Sequence, residues 1–122
     1  MHKHLKYLRK SDIILQEALK DFSIGCYNKA ISASWFAIEA ILRAIIISLG
    51  KPMSERSGRL IGQIQKIFRD RFPQYISLIP KIHSIYEKRK RADHRDVVYN
   101  ELEARRIVED AKNIVLTLKK LL

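Results

Sequence analysis

Ala30-Ile31-Ser32-Ala33-Ser34-Trp35-Phe36-Ala37-Ile38-Glu39-Ala40-Ile41-Leu42-Arg43-Ala44-Ile45-Ile46-Ile47-Ser48-Leu49 is apolar almost all the way round a helix. A helix with no polar face must be enclosed on every side. Glu39 and Arg43 interrupt it at i and i+4, where they can pair, and two such charges are costly in lipid. The stretch therefore reads as the enclosed helix of a bundle, with no membrane association expected. Its limits are about Tyr27 and Leu49, ended by Gly50-Lys51-Pro52. A chain this short supplies four neighbours with difficulty, so the enclosure also leads us to expect a homodimer.

Working outward, Leu8, Leu15, Ala18, Leu19 and Phe22 mark a helix from about Leu5 to Phe22, with Gly25 as its stop. On the other side, Leu60, Ile61, Ile64, Ile67 and Phe68 give a helix over Gly58 to Arg69, in which Gly58 and Gly62 are spaced for close packing. Pro73 and Pro80 allow a short helical turn and then a helix to about Ala92. Asn100 followed by Glu103 resembles a capping box opening the last helix, whose apolar positions run from Ile107 to Leu121. No stretch alternates as a strand does. The expectation is an all-α, up-and-down bundle of about five helices, a single domain spanning 1–122.

Composition narrows the chemistry. The chain has 122 residues, 47% of them apolar, which suits one packed domain. Its 24 Lys and Arg against 13 Asp and Glu leave a charge of +11, which makes polyanions such as RNA or nucleotides plausible partners. The single cysteine, Cys26, rules out an intramolecular disulfide and fits a reducing, cytoplasmic setting. No metal site and no cofactor are expected: His2 and His4 sit at the terminus, and there is no glycine-rich phosphate loop.

The chemically informative segment is Tyr86-Glu87-Lys88-Arg89-Lys90-Arg91-Ala92-Asp93-His94-Arg95-Asp96. Part of its charge has a plain explanation, since cations complement the negative end of a helix. Beyond that, Arg89 offers a permanently charged planar fork for phosphate, and His94 an imidazole that moves a proton near neutral pH. Such a pair suits RNA cleavage without a metal: a base takes the 2′-hydroxyl proton and cations stabilise the phosphorane. Along an unbroken helix five residues turn through about 500°, leaving the two side chains roughly 140° apart. The helix must therefore end between them for them to converge. Lys88, Lys90, Arg91, Asp93 and Arg95 are the accompanying candidates for nucleotide contacts, with Asp93 able to orient either Arg89 or His94. Trp35 and Phe36 read as bundle residues, and Glu39 with Arg43 as a packing or interface pair.

The order Gly25-Cys26-Tyr27-Asn28-Lys29-Ala30, Ser34-Trp35-Phe36-Ala37-Ile38-Glu39-Ala40, Leu49-Gly50 and Tyr86 to His94 resembles the HEPN domain, the higher eukaryotes and prokaryotes nucleotide-binding family. The resemblance covers nearly the whole chain. It implies a helical bundle, usually homodimeric and often encoded beside a small nucleotidyltransferase partner. Its members include metal-independent endoribonucleases, toxins of toxin–antitoxin pairs, and nucleotide-binding members without catalysis. The family signature, an Arg then four to six residues then a His, is matched by Arg89 and His94. It implies Arg89 as phosphate and transition-state contact and His94 as general acid or base. Two positions depart from the catalytic pattern, Lys90 where a small polar residue is usual and Asp96 where a Tyr is usual. A related branch carries Tyr at the position of His94, which makes a structural, hydrogen-bonding role for His94 the alternative. The reading is a nucleotide or partner binder using a basic dimer cleft, with an endoribonuclease using Arg89 and His94 as the alternative.

Overall fold

The computed structural model describes residues 3–94 and 96–122. His2 and Arg95 lie outside them. The described chain forms α1 (Lys3–Ser23), α2 (Tyr27–Ser48), α3 (Ser57–Arg71), a 3₁₀ turn (Pro73–Leu78), α4 (Ile79–Ala92) and α5 (Glu101–Lys119). The all-α bundle of five helices expected from the periodicity is what the chain builds.

Each boundary has a local cause. After α1, Gly25 takes φ +82°, its N–H bonding Phe22 O while Cys26 N–H reaches Asp21 O at 2.8 Å. After α2, Gly50 at φ +68° repeats the arrangement, with Gly50 N–H on Ile47 O and Lys51 N–H on Ile46 O. Both are Schellman stops, in which a left-handed residue turns the chain so that two orphan carbonyls are satisfied. Pro73 opens the 3₁₀ turn and Pro80 the first turn of α4, where a missing N–H costs no helical bond. At the start of α5 the capping box is complete: Glu103 N–H donates to Asn100 Oδ1 at 2.9 Å, and Asn100 N–H to Glu103 Oε1 at 3.3 Å.

Contacts run from α2 to all four other α-helices. Ile31, Trp35, Ile38, Ile41, Leu42, Ile45 and Ile46 are buried there, with Ile64, Phe68, Ile82, Ile114 and Leu118 packed from the neighbours. Most of the enclosure that led us to expect a second subunit is thus supplied within the chain, while the strip of α2 that carries Ala33, Phe36, Glu39 and Arg43 stays partly open. By length and composition α2 could cross a membrane, but 67% of its apolar window is buried against the other helices, as in a core helix.

Pairings along the helices set their directions. Ser11 Oγ donates to Ala37 O at 2.7 Å, Lys119 meets Asp12 at 2.7 Å, and Arg105 lies over Phe22. Both α2 and α5 therefore run antiparallel to α1. Because Trp35 meets Tyr86 and Asn28 meets Ala92, α4 is antiparallel to α2 as well. The end of α1, the start of α2, the end of α4 and the start of α5 consequently share one end of the bundle.

Two expectations need correction. Glycine spacing on α3 suggested close packing, yet a Cβ on Gly62 would meet nothing within 4 Å, and one on Gly58 would make only an ordinary contact with the Tyr86 hydroxyl at 3.7 Å. Gly62 merely weakens an exposed helix interior. Gly62→Ala is expected to raise stability by about 0.5–1 kcal/mol, seen as a higher urea midpoint with an unchanged slope. Phe36 is the second correction: Trp35 is fully buried, but Phe36 is 37% exposed.

Candidate functional site

Three α2 residues spaced one turn apart, Asn28, Ser32 and Phe36, face the C-terminal end of α4. Asn28 does most of the joining. Its Nδ2 donates to Ala92 O at 3.1 Å and Val97 O at 2.8 Å, while its Oδ1 accepts from Tyr99 N–H at 3.0 Å. One side chain thereby ties a carbonyl left open at the end of α4 to the chain entering α5, closing the loop that carries His94. Asp93 caps α4, its N–H bonded to Arg89 O at 3.1 Å, and His94 N–H turns back to Arg91 O at 3.1 Å. The helix does end between Arg89 and His94.

Arg89 is held on two sides. Its guanidinium carbon stands 4.9 Å from the centroid of Phe36, a cation–π contact. Its Nε lies 3.1 Å from Asp93 Oδ2, an ion pair without the alignment of a hydrogen bond. Asp93 is itself steadied, because Ser32 Oγ donates to its Oδ1 at 2.6 Å. Among the described residues the terminal nitrogens of Arg89 have no hydrogen-bond partner, and its side chain keeps 28% of its surface open. The outer fork is therefore oriented and available, the geometry that favours bidentate binding of phosphate.

The remaining candidates divide. Lys90 is engaged on its own helix, 3.4 Å from Glu87 and over the Tyr86 ring at 4.8 Å. Lys88 is half-buried and makes no ion pair among the described residues. Arg91 is exposed and close enough to act electrostatically on Tyr99. The His94 imidazole is exposed beyond the turn, and among the described residues it bonds nothing. The structure thus joins Arg89 to Asp93, Ser32 and Phe36; it draws no contact between Arg89 and His94. Glu39 and Arg43 are a packing pair at 3.6 Å: Arg43 also donates to Ser54 O and Glu55 O, and Ser57 Oγ donates to Glu39, fixing the turn into α3.

Asn28, Ser32 and Phe36 were not recognised as site residues from the sequence. Their signal was an i, i+4 pair of small polar side chains on an otherwise apolar helix, with an aromatic one turn further on.

The HEPN domain model matches residues 5–121, essentially the whole chain. The chain belongs to the HEPN domain family. Among curated proteins no match is found. In this HEPN chain the Arg of the motif is the residue gripped by α2, and the His follows the end of the helix.

Tyr99, buried behind the loop, offers a separate check. Burial pushes its phenol above the ordinary value of about 10, Arg91 opposes the rise and Glu103 adds to it. The folded state then holds a proton that the unfolded chain releases. Stability is unaffected below the unfolded value and falls as pH rises through it toward the raised folded one. Denaturation measured from pH 8 to 11 is expected to show this alkaline loss, and Tyr99→Phe to diminish it.

Proposed function

We propose that this HEPN protein binds the phosphate of a nucleotide or RNA strand on the outer fork of Arg89, in a reducing cytoplasmic setting. The observation that carries the reading is the guanidinium held against Phe36 and Asp93, with its terminal nitrogens unpartnered among the described residues. Such a group loses little freedom on binding, so more of its interaction energy is realised as affinity. The charge of +11 draws polyanions toward it.

A second reading, metal-independent RNA cleavage, is favoured by the position of His94, which follows Asp93 directly and presents an exposed imidazole at the same end of the bundle. There Arg89 would stabilise the phosphorane and His94 would move the 2′-hydroxyl proton.

One pair of measurements tests both. Binding of a labelled single-stranded hexaribonucleotide at fixed salt is expected to weaken about 10- to 100-fold in Arg89→Ala, the effect of losing charge-assisted hydrogen bonds. Unchanged affinity would refute the proposal. Incubation of the same RNA with chelator then separates the readings: cleavage abolished by both Arg89→Ala and His94→Ala identifies a ribonuclease, whereas binding without cleavage identifies a binder.

A further inference from the structure

The Phe36 ring belongs to two surfaces. It carries Arg89, and it also lines a groove of about 610 Å³ between α1 and α2. Ile13, Ile14, Ala33 and Ala40 form the apolar part of that groove, with Tyr7 beside them; Lys6, Arg9 and Lys10 bring positive charge and Glu17 negative, while Arg43 and Glu39 pair with each other. The Ser11–Ala37 hydrogen bond sets the register of α1 on α2, which puts Ile13 about level with Phe36. Both are unusually open for their size, 54% and 37% exposed.

We infer that this groove is a nucleobase subsite for the nucleotide whose phosphate Arg89 holds. The inference rests on the proposed phosphate reading and adds where the base goes. A phosphate on the Arg89 fork leaves its own sugar and base within reach of Phe36. Arg89 lies over the Phe36 ring, yet 37% of the residue stays open, and an aromatic ring with open surface next to a cation is a platform on which bases stack without sequence readout. The groove lies within the range of small-ligand pockets, about 300–1,000 Å³. Charge favours a nucleotide: the lining sets Lys6, Arg9, Lys10 and Arg43 against Glu17 and Glu39, so the groove keeps a positive excess to which a nucleotide strand offers phosphates.

The test compares adenosine 5′-monophosphate with ribose 5-phosphate, which share the phosphate and differ by the base, in calorimetric titrations at one salt concentration. Wild-type protein is expected to bind the nucleotide at least about tenfold more tightly, the value of one stacked base. Phe36→Leu keeps an apolar side chain without the π face, and Ile13→Trp fills the groove from the exposed side of α1. Each is expected to bring the affinity ratio close to one, with ribose 5-phosphate binding in Ile13→Trp within about twofold of wild type. Equal affinities in the wild type, or a ratio surviving both substitutions, overturns the subsite while leaving the Arg89 fork standing. Ribose 5-phosphate binding indifferent to Arg89→Ala overturns the fork and the subsite with it. Sedimentation of the wild type as a dimer that Ile13→Trp dissociates also overturns the subsite, because a second copy would then occupy the groove.

Discussion

Trp35→Ala is expected to destabilise the protein by about 3–5 kcal/mol. The indole is fully buried at the centre of α2 and packs against Tyr86 in a tilted arrangement, 5.1 Å between centroids. Alanine there removes the largest side chain of the core and leaves a cavity that surrounding helices close only partly. For a domain of this size the loss lowers the melting temperature by roughly 10–20 °C, taking about 4 °C per kcal/mol. Circular dichroism is the appropriate measurement, since Trp35 is the protein's only tryptophan and its fluorescence disappears with it. The effect extends to the site: Tyr86 lies on α4 one turn before Arg89, so a loosened α4 loses the register that places the guanidinium on Phe36. A loss below about 1 kcal/mol would contradict the central position assigned to α2.

Asn28→Ala is the second large effect, and it separates loop order from core packing. The substitution removes three hydrogen bonds at once and strands Ala92 O, Val97 O and Tyr99 N–H in a partly buried setting. At about 1 kcal/mol each the cost is on the order of 3 kcal/mol, more where a group stays without water. Asn28→Asp retains the acceptor for Tyr99 N–H and sets a carboxylate against two carbonyls, so it does not rescue the loop. Hydrogen exchange gives the local signature: in Asn28→Ala the Tyr99 and Val97 amides lose protection while those of α2 beyond Trp35 keep theirs. Equal exchange at Tyr99 in both proteins would show that Asn28 does not hold the loop.

These expectations mark how far the sequence could be read. The helices were legible because apolar residues recur at helical spacing and because Gly25, Gly50, Pro73, Pro80 and Asn100 punctuate them by local chemistry alone. Arg89 stood out as a fixed charge in a basic run. Its surroundings did not, since Ser32 lies 61 positions from Asp93 and Asn28 lies 71 from Tyr99. Such contacts exist only once antiparallel packing of α2 and α4 has set their register. Phe36 was misread for a related reason: beside Trp35 in an apolar helix it has the pattern of a core residue, and its exposure emerges only once the helices are packed. The apolar character of α2 was legible, but how much of its enclosure the chain itself supplies was not, because the packing of α4 and α5 against that helix is a tertiary outcome.

Arg89 acts in the proposed function as an oriented fork, not as one cation among 24 Lys and Arg. Arg89→Lys tests this most directly, because it keeps the charge and removes the planar geometry, with Lys88→Ala as the comparison that removes a neighbouring charge. At constant salt, the hexaribonucleotide is expected to bind Arg89→Lys at least about tenfold more weakly than wild type, and Lys88→Ala only a few-fold more weakly with a shallower salt dependence. If Arg89→Lys binds as wild type does, the cradle of Phe36, Asp93 and Ser32 orients nothing that matters for the ligand.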